Sequence, residues 1–172
     1  LQKFIFNGRI YNQLIIIMKK VKIISDFNIE PLKKIWNNID PNYEIFLPSF
    51  GQVYQELLDG KETKFDNVIV WTLAQNVIPS FQKALNNEEF DFNELINEAE
   101  NFSKLIINYS KKCDMLFFCS WHLTKLNYNN NLTEWDVNVG TKYILNKLNT
   151  FLVEKFSKCD SIKFLDTEKW ID

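Results

Sequence analysis

The sequence has few of the residues on which metal sites and many catalytic sites depend. Among its 172 residues there is one histidine, His122, and the three cysteines form no C-x-x-C pair. A structural zinc site needs about four such ligands. We therefore predict no metal site, no cofactor and reduced thiols, as in a cytoplasmic protein.

An excess of charge of one sign and long apolar runs are also missing. The net charge is −2, and no long basic run is present, which argues against a protein that tracks nucleic-acid phosphates. The apolar run at 14–18 is too short to span a membrane. We therefore predict neither a nucleic-acid nor a membrane partner. The hydrophobic content of 46% is instead that of a globular domain.

Short β-forming runs alternate with stretches of helical periodicity along the chain. The β-forming runs lie at 21–24, 43–47, 67–73, 115–119 and 161–166, and the longest helical patterns at 92–112 and 137–156. This alternation predicts an α/β fold, a three-layer α/β/α sandwich with a five-stranded parallel sheet of order 2-1-3-4-5. We expect this domain at 18–172, a polar loop at 127–131, and at 1–17 an amino-terminal extension that adds a strand or a helix.

Polar residues and a glycine follow the ends of the predicted strands. They are Ser25, Asp26 and Asn28 after the first strand, Gly51 after the second, Asn76 after the third, His122 after the fourth and Asp166 at the end of the fifth. Parallel strands bring their carboxyl ends to one edge of the sheet, where ligands bind in open α/β folds. We therefore expect a ligand site at this edge.

Several segments along the chain resemble one family. They are SDFNIEPL, LPSFGQVYQELLD, VIVWTLAQN, the run from FFCSWHL to NKLNTFL, and FLDTEKWI. Together they resemble the SGNH-hydrolase-like domain at the amino terminus of FkbH-like proteins, where it precedes a haloacid-dehalogenase-type (subfamily IIIC) phosphatase domain. The resemblance spans about 21–172 and implies an SGNH-like fold in which Gly51 and Asn76 are oxyanion-hole donors.

The chain departs from this family at the nucleophile and at the base. Asp26 matches the aspartate of the family's Gly-Asp-Ser, but Phe27 stands at the nucleophile position and Ser25 at the glycine. After Asp166, Lys169 stands where the family has histidine. The resemblance thus implies a degenerate domain that binds an acyl, glyceryl or carrier-linked ligand, or a partner, in acyl-unit or polysaccharide biosynthesis, without efficient hydrolysis.

An active enzyme is the alternative interpretation. Ser25 and His122, oriented by Asp26 or Asp166, could form a rearranged site of a serine esterase or O-acyltransferase. Otherwise Ser25 and Asn28 cap the following helix, and His122 is a half-buried polar residue.

In the binding interpretation, Asp26, Asn28, Gly51 and Asn76 contact the ligand. A phosphatase-domain protein or an acyl carrier protein is then the expected partner. Two of these residues also have structural interpretations: Asn76 as a helix N-cap, and Gly51 as a turn residue with positive φ.

Overall fold

The main structural unit is a parallel sheet of five strands. The computed structural model of the chain describes residues 2–6, 9–13, 18–59, 64–123 and 133–170. The strands of this sheet are β3 (Lys19–Ser25), β4 (Tyr43–Phe46), β5 (Phe65–Trp71), β6 (Cys113–Cys119) and β7 (Ile162–Leu165). Their spatial order is β4-β3-β5-β6-β7, and all neighbours are parallel. The predicted α/β fold and the order 2-1-3-4-5 are confirmed.

Two further strands, β1 (Gln2–Phe6) and β2 (Arg9–Gln13), form a separate antiparallel pair. The extension that we expect at 1–17 therefore contributes strands. Its boundary with the domain at residue 18 stays a prediction.

Helices connect the strands of the parallel sheet. They are α1 (Glu30–Ile39), α2 (Val53–Asp59), α3 (Ala74–Val77), α4 (Pro79–Leu85), α5 (Phe92–Ser110) and α6 (Thr141–Phe156), and a 3₁₀ turn follows at Glu168–Trp170. None of the described helices is long and apolar enough to cross a membrane. The loop predicted at 127–131 lies outside the described residues.

The helix predicted at 137–156 begins later, at Thr141. Residues 133–139 form turns instead, in which the backbone N–H groups of Val139 and Gly140 donate to the Asp136 carbonyl. A Cβ at Gly140 would overlap the backbone of Thr133 and Glu134. Glycine is therefore required where these turns pack against the start of α6.

The sheet buries two cores of unequal size because side chains alternate between its faces. On one face, Val70 and Phe118 of the strands pack with residues of α2 to α6, such as Phe102 and Leu148. On the other face, Val21, Ile23 and Ile45 form a smaller core with Ile29 and the half-buried Leu32 and Trp36 of α1.

The strand order places a topological switch point beside β3. The chain runs from β3 through α1 to β4 on one side, and from β4 through α2 to β5 on the other. Ser25 and Trp71 are register partners at the carboxyl ends of β3 and β5. A crevice at such a point is where open α/β sheets bind ligands.

Candidate functional site

Asp26 bridges the switch point between β3 and β5. Its Oδ2 accepts a hydrogen bond of 2.9 Å from the backbone N–H of Leu73, just beyond β5. Its Oδ1 is buried and has no hydrogen-bond partner among the described residues. Burial raises the pKa of Asp26 above its ordinary value, and the Leu73 N–H and the Asn76 side chain oppose this rise. The carboxyl edge thus holds a half-buried carboxyl group with one unused oxygen.

Ser25 ends β3 and lines a small pocket. The residue is 7% exposed, and its Oγ accepts a hydrogen bond of 3.2 Å from the backbone N–H of Phe27. The pocket has a volume of about 110 Å³. Its apolar lining comes from Ile23, Phe27, Ile29, Leu47, Pro48 and Phe50, and its polar lining from Ser25, Asn28 and Glu30. We call this cavity the Ser25 pocket.

The start of α1 forms one wall of the Ser25 pocket. Ile29 is the N-cap of α1 and supplies no side-chain hydrogen bond. The expectation that Ser25 and Asn28 cap this helix is therefore wrong, because neither residue is at the N-cap position. Asn28 Oδ1 instead accepts from the Glu30 N–H at 3.0 Å. Both side chains therefore order the backbone that leads into the helix, an Asx- and ST-turn role.

The backbone conformation accounts for the residue type at Gly51 but not at Asn76. Gly51 has φ 76° and is exposed, a backbone conformation that favours glycine. Asn76 is the third residue of α3, whose N-cap is Leu73, so the interpretation of Asn76 as an N-cap is wrong. Its side chain is exposed and affects the pKa of Asp26. Their roles as oxyanion-hole donors stay predictions.

His122 lies beyond β6, two strands from Ser25 in the sheet. Its Nδ1 is buried without a hydrogen-bond partner among the described residues. Burial lowers the pKa of His122, and the Ser120 backbone and the Glu168 charge oppose this shift. A neutral imidazole in this position is able to accept a proton.

Asp166 is exposed and follows β7. Its Oδ1 accepts from the Glu168 N–H at 3.2 Å. Among the described residues, no hydrogen bond joins Ser25, His122 and Asp166, and neither His122 nor Asp166 lines the Ser25 pocket. The catalytic roles of these three residues stay predictions.

Three aromatic rings, those of Phe27, Trp71 and Trp170, form a row along the carboxyl edge, and none of them was predicted as a site residue. Trp71 packs edge-to-face against Phe27, with ring centroids 5.4 Å apart, and against Trp170, at 5.7 Å. The Trp71 Nε1 is buried without a described partner. The available signal was an aromatic residue near the end of three different strands. Within the described residues, no group of acidic, histidine or cysteine side chains could hold a metal ion.

Comparison with known proteins identifies a similar fold. The chain resembles a crystal structure of the N-terminal part of the protein BF1531 from Bacteroides fragilis, which contains a phosphatase domain and was solved with Mg. The TM-score is 0.68 at 16% sequence identity, over 89% of this chain and 41% of that chain. No protein-family model and no curated protein matches the sequence. The likeness shows the fold, and the chain spans less than half of that neighbour.

Proposed function

We propose that this chain is a degenerate SGNH-like domain, related to the amino-terminal domain of FkbH-like proteins. In this proposal the carboxyl edge of the sheet binds an acyl, glyceryl or carrier-linked ligand without efficient hydrolysis. The role would lie in acyl-unit or polysaccharide biosynthesis. A phosphatase-domain protein or an acyl carrier protein is the proposed partner. The BF1531 fragment supports the first of these partners, because it contains a phosphatase domain in addition to a region of this fold.

The observation that carries this proposal is the state of Ser25 and Phe27. Phe27 stands at the family's nucleophile position and packs on Trp71. The hydroxyl two residues earlier, Ser25 Oγ, accepts a hydrogen bond from the Phe27 backbone N–H and has no described base within hydrogen-bond distance. A serine hydroxyl without a base is a weak nucleophile, whereas a pocket and an edge rich in unpaired polar atoms suit binding.

Ester hydrolysis tests the proposal against the enzyme alternative. With p-nitrophenyl acetate and butyrate, we expect the protein to release nitrophenol no faster than its Ser25→Ala and His122→Ala variants do. The reason is that neither side chain activates the other. Ser157→Ala, at an exposed helix end, is the matched control. Turnover that both Ser25→Ala and His122→Ala abolish, together with labelling of Ser25 by a fluorophosphonate, would establish the esterase instead.

Binding is measured separately with S-acetylpantetheine, a minimal carrier-linked acyl group. We expect its addition to shift backbone amide resonances of residues at the carboxyl edge, such as Phe27, Leu73 and Asn76. Pantetheine without the acetyl group is the control ligand. If neither compound shifts these resonances and no hydrolysis occurs, the proposed function is wrong.

A further inference from the structure

The hydrogen-bonding groups and charges of the Ser25 pocket indicate which ligand it can bind. A buried hydroxyl group has one proton to donate and two lone pairs to accept with. Ser25 Oγ already accepts from the Phe27 N–H, and no described residue accepts its proton. The apolar walls of the pocket therefore surround one unused hydrogen-bond donor. A carbonyl oxygen would satisfy this donor, which is costly to leave unpaired in an apolar site.

The charge around the pocket disfavours an anion. Glu30 lines the pocket, and no lysine, arginine or histidine does so among the described residues. The lysine nearest in sequence, Lys22, points to the opposite face of the sheet, where it pairs with Glu56. A carboxylate or phosphate in the pocket would meet the Glu30 carboxylate with no cation to offset the repulsion.

The start of α1 does not compensate for the missing cation. A helix N-terminus attracts anions through its free N–H groups. Here the Glu30 N–H is bound to Asn28 Oδ1, Pro31 has no N–H, and the Lys33 N–H is bound to the Ile29 carbonyl. The first turn is thus largely occupied, and Glu30 itself already interacts with the helix dipole.

The size of the pocket limits the length of the group that enters it. An apolar cavity of about 150 Å³ accommodates the six carbons of benzene, so the 110 Å³ here correspond to about four or five non-hydrogen atoms. A butyryl group, with four carbons and the carbonyl oxygen, has this size, so that the group bonded to its carbonyl carbon would lie at the pocket mouth. Ile23, 1% exposed, closes the pocket toward the core.

We propose that the Ser25 pocket takes a short, uncharged acyl group whose carbonyl oxygen accepts the Ser25 hydroxyl proton, and that it rejects carboxylates and phosphates. This inference rests on the proposed function and narrows it: an acyl group held as an ester, thioester or amide fits the pocket, and a free acid or a phosphorylated group does not.

Butyramide and butyrate form the decisive pair of probes, because they have nearly the same size and differ in charge. In titrations followed by amide NMR, we expect butyramide to shift the resonances of Phe27 and Leu47 at millimolar concentration. Butyrate should need at least a tenfold higher concentration, and hexanamide should bind more weakly than butyramide. Ethyl acetate and S-ethyl thioacetate then compare the binding of an ester with that of a thioester. Inorganic phosphate is the second anionic probe, and we expect it not to shift the pocket resonances.

Two variants assign the effect to the residues named. Glu30→Gln, at an exposed position, should raise the affinity for butyrate relative to that for butyramide at least threefold. Ser25→Ala should weaken butyramide binding, with its fold checked by circular dichroism. Should Ser25→Ala not fold, the Glu30→Gln result decides alone.

The outcomes separate this inference from the proposed function. Equal binding of butyrate and butyramide at the pocket overturns the inference and leaves binding at the edge intact. The inference is also overturned, and binding at the edge left intact, if S-acetylpantetheine shifts resonances near Asp26 and Asn76 while butyramide shifts no resonance of the pocket residues. If neither the amides nor S-acetylpantetheine shift any resonance of the carboxyl edge, both proposals are overturned.

Discussion

At the scale of single residues, Asp26 is held in a position that does not favour its charge. Burial raises its pKa, and one of its oxygens has no described partner. Ionisable groups whose charged form is destabilised in this way are common in binding and catalytic sites, where the residue is kept for function although it lowers the stability of the fold. Asp26 is therefore the residue at the edge for which substitution should improve stability and impair binding.

The Asp26→Asn variant tests this through its pH dependence. Well below pH 3.8, the ordinary pKa of an aspartate, Asp26 is neutral in both the folded and the unfolded chain. As the pH rises, the unfolded chain loses this proton first, because the folded-state pKa is higher, and the wild type loses stability until the folded carboxyl also ionises. Asparagine does not titrate. We thus expect Asp26→Asn to gain stability over wild type on going from about pH 3.5 to about pH 7, measured by urea unfolding.

The control for Asp26→Asn is Asp160→Asn, which removes the same charge at an exposed position. Its stability difference from wild type should change little over this range. An Asp26→Asn difference that is the same at both pH values, or that grows toward low pH, would contradict the account.

Sequence pattern predicts where Asp26 lies and not what it contacts. The β-forming run at 21–24 predicts a strand, so Asp26 is expected at its carboxyl end. Its partner Leu73 is 47 residues away, and a bond of that kind follows from strand order and register. Trp170 was missed for the same reason, since its contact with Trp71 spans β6 and α6.

At the scale of secondary-structure elements, α4 depends on a cap from another helix. Its N-cap residue, Ile78, has no polar side chain. The Glu98 carboxylate of α5 instead accepts from both the N–H of Ser80, at 2.9 Å, and its Oγ, at 3.0 Å. Ser80 is fully buried, so without Glu98 these two donors would be unpaired.

Glu98→Ala should therefore lower the free energy of unfolding by about 2 kcal/mol, the sum of a lost cap and of buried unpaired donors. Glu98→Gln keeps an acceptor oxygen and should cost about 1 kcal/mol. Asn97→Ala, its exposed neighbour on α5, should change stability by less than about 0.5 kcal/mol. Chemical denaturation measures all three, and equal losses in Glu98→Ala and Asn97→Ala would contradict the capping role.

Element boundaries followed local signals where these were strong. The apolar residues Val68 and Val70 predict β5, and the spacing from Leu95 to Ile106 predicts α5. α6 began four residues later than predicted because the apolar Val137 and Val139, both exposed, continue the helical spacing into a segment of turns. The spacing of apolar residues predicts helix α6 but not its first residue, because it does not reveal that Gly140 packs against the preceding turns.

At the scale of the whole molecule, one ion pair lies within the larger core. Lys22, in the middle of β3, is 8% exposed. Its Nζ pairs with Glu56 of α2 and lies 5.1 Å from the centroid of the Phe65 ring and 6.0 Å from that of Tyr109. The pair connects the sheet to α2, which follows the Phe50–Gly51 turn, and to α5. The β-forming run at 21–24 predicts the strand and does not indicate that its lysine is buried.

Removing one member of this pair should be worse than removing both, because a single deletion leaves a buried charge without a partner. We expect Glu56→Ala to cost about 2 to 3 kcal/mol, and the double variant Lys22→Met with Glu56→Leu to cost less than about 1 kcal/mol. The more exposed pair of Lys155 with Glu100 is the control, for which Glu100→Ala should cost under about 1 kcal/mol. Urea denaturation measures each. A double variant at least as unstable as Glu56→Ala would show that the ion pair itself, rather than the cost of leaving Lys22 unpaired, stabilises the core.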